Sequence, residues 1–439
     1  MNKWINSTIG QLTTYQRAGG TPSTHVDEYY GGDIPFVTIE DITNSSRFLD
    51  KTEKQLSAKG LANSAAWLIK EPHILYSMYA TVGKPVINRV QCATNQAIIA
   101  LKESPLIDQT YLYYQLLFIR PQVYKFTAQT TQSNLNAGAV KKLPIAYPKD
   151  IGQQRKIAAI LTSVDTEIEK TESLIVKYQQ IKAGLMHDLF TRGVTANGKF
   201  RPPRDKAPAL YKETPIGWIP KEWQIVRMID LAEDRNGATT IGPFGSDLVA
   251  SDYRLEGVPV VFVRNIKESG FEWNSEIYVS EKKAVKLNAH SVKAGEILAT
   301  KMGLPPCIGC LYPEWMRNGV ITADIIRLSA NNKKVDGFWL TTAINHDRIK
   351  RQVAAITAGV TRPKVTLVDF RRIRIAKPEL HEQKVISEIL RIAQNKLDAE
   401  CARLDKLKYQ KLGLMHDLLT GKVPVKVEPE REPMEMACG

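Results

Sequence analysis

The six residues Gly184-Leu185-Met186-His187-Asp188-Leu189 return 229 positions later as Gly413-Leu414-Met415-His416-Asp417-Leu418. The same offset pairs Gln154 with Gln383, Ile157 with Ile386, and Ile160-Leu161 with Ile389-Leu390. A repeat on this scale constrains the fold more than any composition does, because both copies must adopt one architecture. Upstream, the offset drifts. Trp4 and Leu12 match Trp223 and Leu231 at 219, and Ile34-Pro35-Phe36-Val37 matches Val258-Pro259-Val260-Val261 at 224. Ile98 and Leu101 match Ile325 and Leu328 at 227, and Leu143-Pro144-Ile145-Ala146 meets Ile373-Arg374-Ile375-Ala376 at 230. Surface loops absorb insertions and packed elements do not, so the drift marks variable loops on a shared scaffold. The order is globular unit, long segment, globular unit, long segment.

The long segments carry a coiled-coil stripe. Every seventh residue from Ile157 reads Ile157, Val164, Thr171, Tyr178, Leu185, with the companion series Leu161, Ile168, Ile175, Lys182, Leu189. The second copy reads Ile386, Ala393, Glu400, Leu407, Leu414, with Leu390, Leu397, Leu404, Lys411, Leu418. Such seams bury against another helix. A helix of about 38 residues is roughly 57 Å long at 1.5 Å per residue. The natural partner of one stripe is the other copy, in parallel or antiparallel pairing; packing of each helix on its own domain is the competing arrangement. The stretch 193–216, rich in Pro and charge, is expected to be an extended, exposed linker, and the Glu- and Pro-rich tail 422–439 to be disordered.

Short apolar runs broken by turn residues fill the globular units. Residues 34–39 and 258–263 read as strands, as do 73–78 and 296–301, each of the latter followed by a Gly-containing turn; 111–117 and 338–344 read as helix. The class is mixed α/β, without regular βαβ alternation.

Among the 439 residues, 60 Lys and Arg stand against 46 Asp and Glu, a net charge of +14. Residues 201–380 hold 28 of those cations against 20 acids, and residues 1–150 hold 15 against 11. Two separated basic blocks suit a polyanion held at two places. No apolar run is long enough to cross a bilayer, the start Met1-Asn2-Lys3-Trp4 leads into no secretory segment, and the five cysteines are scattered, so a cytoplasmic setting is expected.

Motifs for chemistry fail on inspection. Gly193-Val194-Thr195-Ala196-Asn197-Gly198-Lys199 nearly spells a phosphate loop, but Phe200 stands where a metal-binding hydroxyl is needed. Cys307-Ile308-Gly309-Cys310 has knuckle spacing without a second pair of ligands, so no metal site is expected. His187 and His416 read as packing or capping groups at helix ends. No nucleophile elbow, zinc-protease helix or amino-methyltransferase motif is present, so no catalytic residue is assigned.

Two variable basic units on two coiled-coil helices resemble the specificity subunit of type I restriction–modification enzymes. The resemblance spans the chain to about residue 425. It is carried by the helix ends Gly184 to Thr191 and Gly413 to Gly421, by the helix entries Pro148 to Leu161 and Pro378 to Leu390, and by Gly217-Trp218-Ile219-Pro220-Lys221-Glu222-Trp223. Gly19-Gly20-Thr21-Pro22-Ser23 and Gly242-Pro243-Phe244-Gly245-Ser246 look like turns near the recognition surface of such domains. The resemblance implies two target recognition domains, 1–148 and 217–378, each reading half of a bipartite, asymmetric double-stranded DNA target. It implies long helices at 149–192 and 379–421 that pair antiparallel about a pseudo-twofold internal repeat. They would set the spacing and dock two methyltransferase subunits, with restriction subunits in the full complex. The chain itself would be non-catalytic, with S-adenosylmethionine, ATP and Mg on the partners.

Candidates for DNA contact are Thr130, Thr131, Gln132, Ser133, Asn134, Lys141 and Lys142 in the first unit, and Arg362, Lys364, Arg371 and Arg372 in the second. The coiled-coil and partner-facing set is Ile157, Leu161, Val164, Ile168, Ile175, Leu185, Leu189, Ile386, Leu390, Leu397, Leu404, Leu414 and Leu418. The competing readings are a self-contained DNA methyltransferase or nuclease with a divergent site, and a coiled-coil adaptor for proteins.

Overall fold

The computed structural model describes residues 4–127, 134–357 and 361–426; the expected disordered tail lies outside them from residue 427 onward. The chain divides into two compact units, Met1–Ser173 with Cys401–Gly439, and Leu174–Glu400. The division falls inside two long helices, Ile151–Thr191 and Leu380–Leu419.

Within each unit the two helices meet head to tail. In the first unit, Ile157 and Leu161 share one core with Met415, Leu418 and Leu419. In the second, Leu185, Leu189 and Phe190 share one with Val385, Ile386, Ile389 and Leu390. The start of one helix thus lies against the end of the other, which is antiparallel pairing. Asp165 to Lys411 at 2.6 Å, Glu167 to Arg403 at 3.1 Å and Glu172 to Lys408 at 3.0 Å line the seam in the first unit. All members of the four seven-residue series are buried or partly buried. The two lysines that interrupt the apolar series reach across to a polar partner. Lys411 pairs with Asp165, and Lys182 donates to Gln394, the residue 229 positions after Asp165.

Each head is built on the same sheet. In the first, strands Thr13–Ala18, Ile98–Glu103, Ile74–Ser77, Pro85–Asn88 and Phe48–Leu49 lie in that order. In the second, Thr239–Ile241, Ile325–Leu328, Ile297–Thr300 and Gly309–Leu311 do so. Ile74 is opposite Leu101 and Ile297 opposite Leu328, so the register itself is repeated. A second sheet follows in each head, three-stranded around Tyr30–Val37 and five-stranded around Val258–Val261. A two-stranded ribbon closes each head where it joins its helix, Trp4–Thr8 with Pro144–Pro148 and Gln224–Arg227 with Arg374–Lys377. The strand expected over 34–39 stops at Val37, because Thr38 and Asp41 cap one another and start the short helix Ile39–Asn44.

A buried glutamine fastens each helix start to its head. Gln154 accepts from the Asp108 N–H at 2.7 Å and donates to Pro148 O at 2.9 Å. Gln383 accepts from the Asp336 N–H at 2.9 Å and donates to Pro378 O at 2.8 Å. Both side chains are fully buried. Asp108 accepts from the Tyr111 N–H and Asp336 from the Trp339 N–H, so each latch holds the N-cap of a helix, Gln109–Thr127 or Gly337–Ile344.

The stretch 193–216 departs from its expected exposure. Much of it is in solvent, but Val194, Arg201 and Tyr211 are buried. The Arg201 guanidinium donates to both oxygens of Glu382, at 2.5 and 3.0 Å, and to Glu222. Glu382 also accepts from the Val194 N–H at 3.0 Å and the Trp223 indole at 3.2 Å. Composition reads a charged segment as solvated; it does not register that one arginine has a carboxylate partner 181 positions away.

Candidate nucleic-acid interface

Three loops come together on each head by the same backbone rules. The first leaves the edge strand. The Gly19 N–H donates to Ile98 O at 3.2 Å and the Gly242 N–H to Ile325 O at 3.3 Å. A Cβ on Gly19 would collide with Thr94 O, and one on Gly242 with Thr322 O, so only glycine permits this approach. The second loop, 78–83 or 301–307, follows the central strand. The third runs into the short helix Ala137–Lys142 or Leu367–Arg372. One hydrogen bond joins second to third in each head: Leu135 N–H to Met78 O, and Val365 N–H to Lys301 O, both 2.9 Å. In the second head Met302 and Lys364 also form an isolated β-bridge, and the Lys301 ammonium sits 4.8 Å from the Phe244 ring centroid.

Of the expected DNA-contacting residues, Thr130, Thr131, Gln132 and Ser133 lie outside the described residues. Asn134, Lys141, Lys142, Arg362, Lys364 and Arg372 have exposed side chains on these loops or helix ends. Arg371 is committed elsewhere: its guanidinium donates to Thr239 Oγ1 at 2.7 Å and Thr239 O at 3.1 Å, tying its helix to the edge strand. Sequence reasoning passed over Lys301 and Leu304, although the Gly-containing turn after residue 301 was visible in it.

Elsewhere in the second head, a polar cavity is lined by Arg235, Glu296, Arg327 and Ser329. Burial lowers the Arg327 pKa, and Glu296 beside it at 3.6 Å opposes that shift. Arg327 also donates to Gly237 O at 2.6 Å. Cys307 and Cys310 are buried and burial pushes both thiols up to about 12, the wrong direction for metal or redox chemistry. Among the described residues no group of three or more His, Cys, Asp or Glu could hold a metal, and no helix is long and apolar enough to cross a membrane.

A head that presents three loop-borne segments on one sheet, with exposed lysines and arginines on the third, fits a nucleic-acid recognition module. The sequence matches the family described as type I restriction modification DNA specificity domain over residues 1–178 and 220–409, and the chain belongs to that family. It is 22% identical over 430 residues to the type I restriction enzyme MjaVIII specificity subunit of Methanocaldococcus jannaschii, covering 96% of this chain and 93% of that protein. The putative MjaX specificity subunit of the same organism is 26% identical over 329 residues, 73% of this chain and 69% of that one. The fold is similar to the crystal structure of the type I restriction–modification S subunit from M. genitalium, with a TM-score of 0.57 at 15% identity over 95% of this chain and 96% of that one. A chain from a structural study of complex assembly and conformational transition of the type I R-M system gives a TM-score of 0.58 at 15% identity, over 96% and 98%. The protein is therefore a type I specificity subunit, the non-catalytic, DNA-sequence-recognising component of a restriction–modification system.

Proposed function

We propose that the heads, residues 1–148 and 217–378, are two target recognition domains, each reading one half of a bipartite, asymmetric duplex site. The paired helices set the spacer between the halves and dock two methyltransferase subunits, to which restriction subunits add in the full complex. S-adenosylmethionine, ATP and Mg belong to those partners. The observation that carries this reading is the pair of matched loop sets. The glycine approach and the loop-to-loop hydrogen bond are the same in both heads, while the exposed side chains differ. A shared frame holding unlike side chains is what two readers of unlike sequences require.

Lys141, Lys142, Arg362, Lys364 and Arg372 supply phosphate contacts, and the segment 130–134 base-edge contacts. The test is methylome sequencing of cells carrying this chain with its methyltransferase subunit. A split motif methylated on both halves is expected, and replacing one head with an unrelated one should change that half alone. An unchanged motif after the exchange refutes the assignment.

A further inference from the structure

The turn 301–307 carries one cation, Lys301, and the backbone sets it beside a second, Lys364. Its tip is Leu304, 89% exposed, while Cys307 at its base is 4% exposed. A single exposed leucine is ordinary; its placement is the observation. On one side Met302 bridges Lys364, and on the other Lys301 lies over Phe244 of the first loop. The turn is also held firmly. The Cys307 N–H donates to Thr300 O at 2.7 Å, the Ile308 N–H to Thr300 Oγ1 at 3.0 Å, and the Val365 N–H to Lys301 O at 2.9 Å. The backbone of such a turn has little freedom left to lose on binding.

Leucine can neither neutralise a phosphate nor hydrogen-bond a base edge. The apolar feature that a stacked duplex offers in its major groove is the thymine C5-methyl group. We propose that Leu304 reads a thymine methyl in the half-site bound by the second head, with Lys301, Arg362 and Lys364 holding the flanking phosphates. This rests on the DNA-reading role proposed above. The first head has the same turn with different chemistry: Tyr79 is 37% exposed beside Ala80 at φ 55°, and Met78 O makes the equivalent bond to Leu135 N–H. The two turns would thus read different bases from equivalent places on the two sheets.

The experiment uses the full chain assembled with its methyltransferase subunits, and the duplex defined by methylome sequencing. Each thymine of the second half-site is replaced in turn by uracil, which lacks only the methyl. Leu304→Ala should bind the natural duplex about tenfold more weakly. At one position, uracil should weaken the wild-type complex by the same factor and leave the variant unaffected, with the salt dependence of both unchanged. Binding of the variant within twofold of wild type overturns the proposal. So does a half-site lacking thymine, or a uracil effect of equal size in wild type and variant at every position. The wild-type complex must methylate a split site; if it does not, the role proposed for the heads fails first, and the two failures are told apart. The variant's melting curve should match wild type, since the side chain is almost wholly exposed.

Discussion

The two units solve one problem with the same parts and then diverge at the ends of their helices. In both, a buried glutamine latches the helix start to a capped helix of the head, and a glycine follows the helix end with positive φ, Gly193 at 62° and Gly421 at 75°. In the second unit, the position 229 residues after Gln153 is Glu382, which gathers Arg201, Val194 and Trp223. In the first, Gln153 itself donates once, to Val425 O at 3.3 Å. After the first long helix, where the chain re-enters a head, a buried ion pair pins the connection; after the second, a neutral side chain meets Val425. A shared frame is therefore compatible with local chemistry that differs in charge, and the repeat constrains geometry more than interactions.

The sharpest way to break this comparison is to remove the carboxylate. Glu382→Ala leaves the Arg201 guanidinium buried without its main partner and should destabilise the second unit by about 3–5 kcal/mol. Gln153→Ala should cost the first unit no more than about 1 kcal/mol. Urea unfolding followed by tryptophan fluorescence, with Trp223 reporting on the second unit and Trp67 on the first, checks both; equal losses would dissolve the contrast.

A second difference lies ten residues after each capping aspartate, where the first unit has Phe118 and the second has His346. His346 stacks on Phe190 at 5.2 Å. Burial, reinforced by Arg348, lowers its pKa from 6.5 to about 4. The unfolded chain thus binds this proton more readily than the folded one. The stability it confers is present above pH 6.5 and is lost as pH falls from 6.5 towards 4, roughly 3 kcal/mol in all. Melting against pH should show this loss in the wild type, and His346→Phe should flatten the curve over that window. A variant as acid-sensitive as the wild type would assign the effect to another group.

A third comparison sharpens the likeness instead. Gln154→Ala and Gln383→Ala each strand a buried backbone N–H, of Asp108 or Asp336, and should cost about 1–3 kcal/mol. The two values should agree within the error of denaturant unfolding. A large disagreement would mean that the duplicated latch is not equivalent in the two units.

The long helices were legible because a seven-residue period over 33 positions in each copy admits few other structures, and every residue of the stripe is covered. The capping logic at Thr38 and Asp41 was equally local and could have been read, but an apolar run through Ile39 favoured a longer strand. Arg371 illustrates the opposite limit. By residue type it is a phosphate contact, and only its packing beside Thr239 reveals a structural tie. Leu304 was hidden for the same reason, since an apolar residue in a Gly–Pro turn has no meaning until its neighbours in space are known.

Periodicity, duplication and charge are properties of the order of residues along the chain. They determined the two heads and the two struts, while the class of ligand came from the family resemblance. Antiparallel pairing, the anchoring of Arg201 by Glu382, and the meeting of three loops on one head depend on contacts between residues far apart in sequence, from 57 positions for Met78 and Leu135 to 246 for Asp165 and Lys411. Burial and hydrogen-bond geometry select among the many pairings that composition allows, and those are settled only when the whole chain has packed.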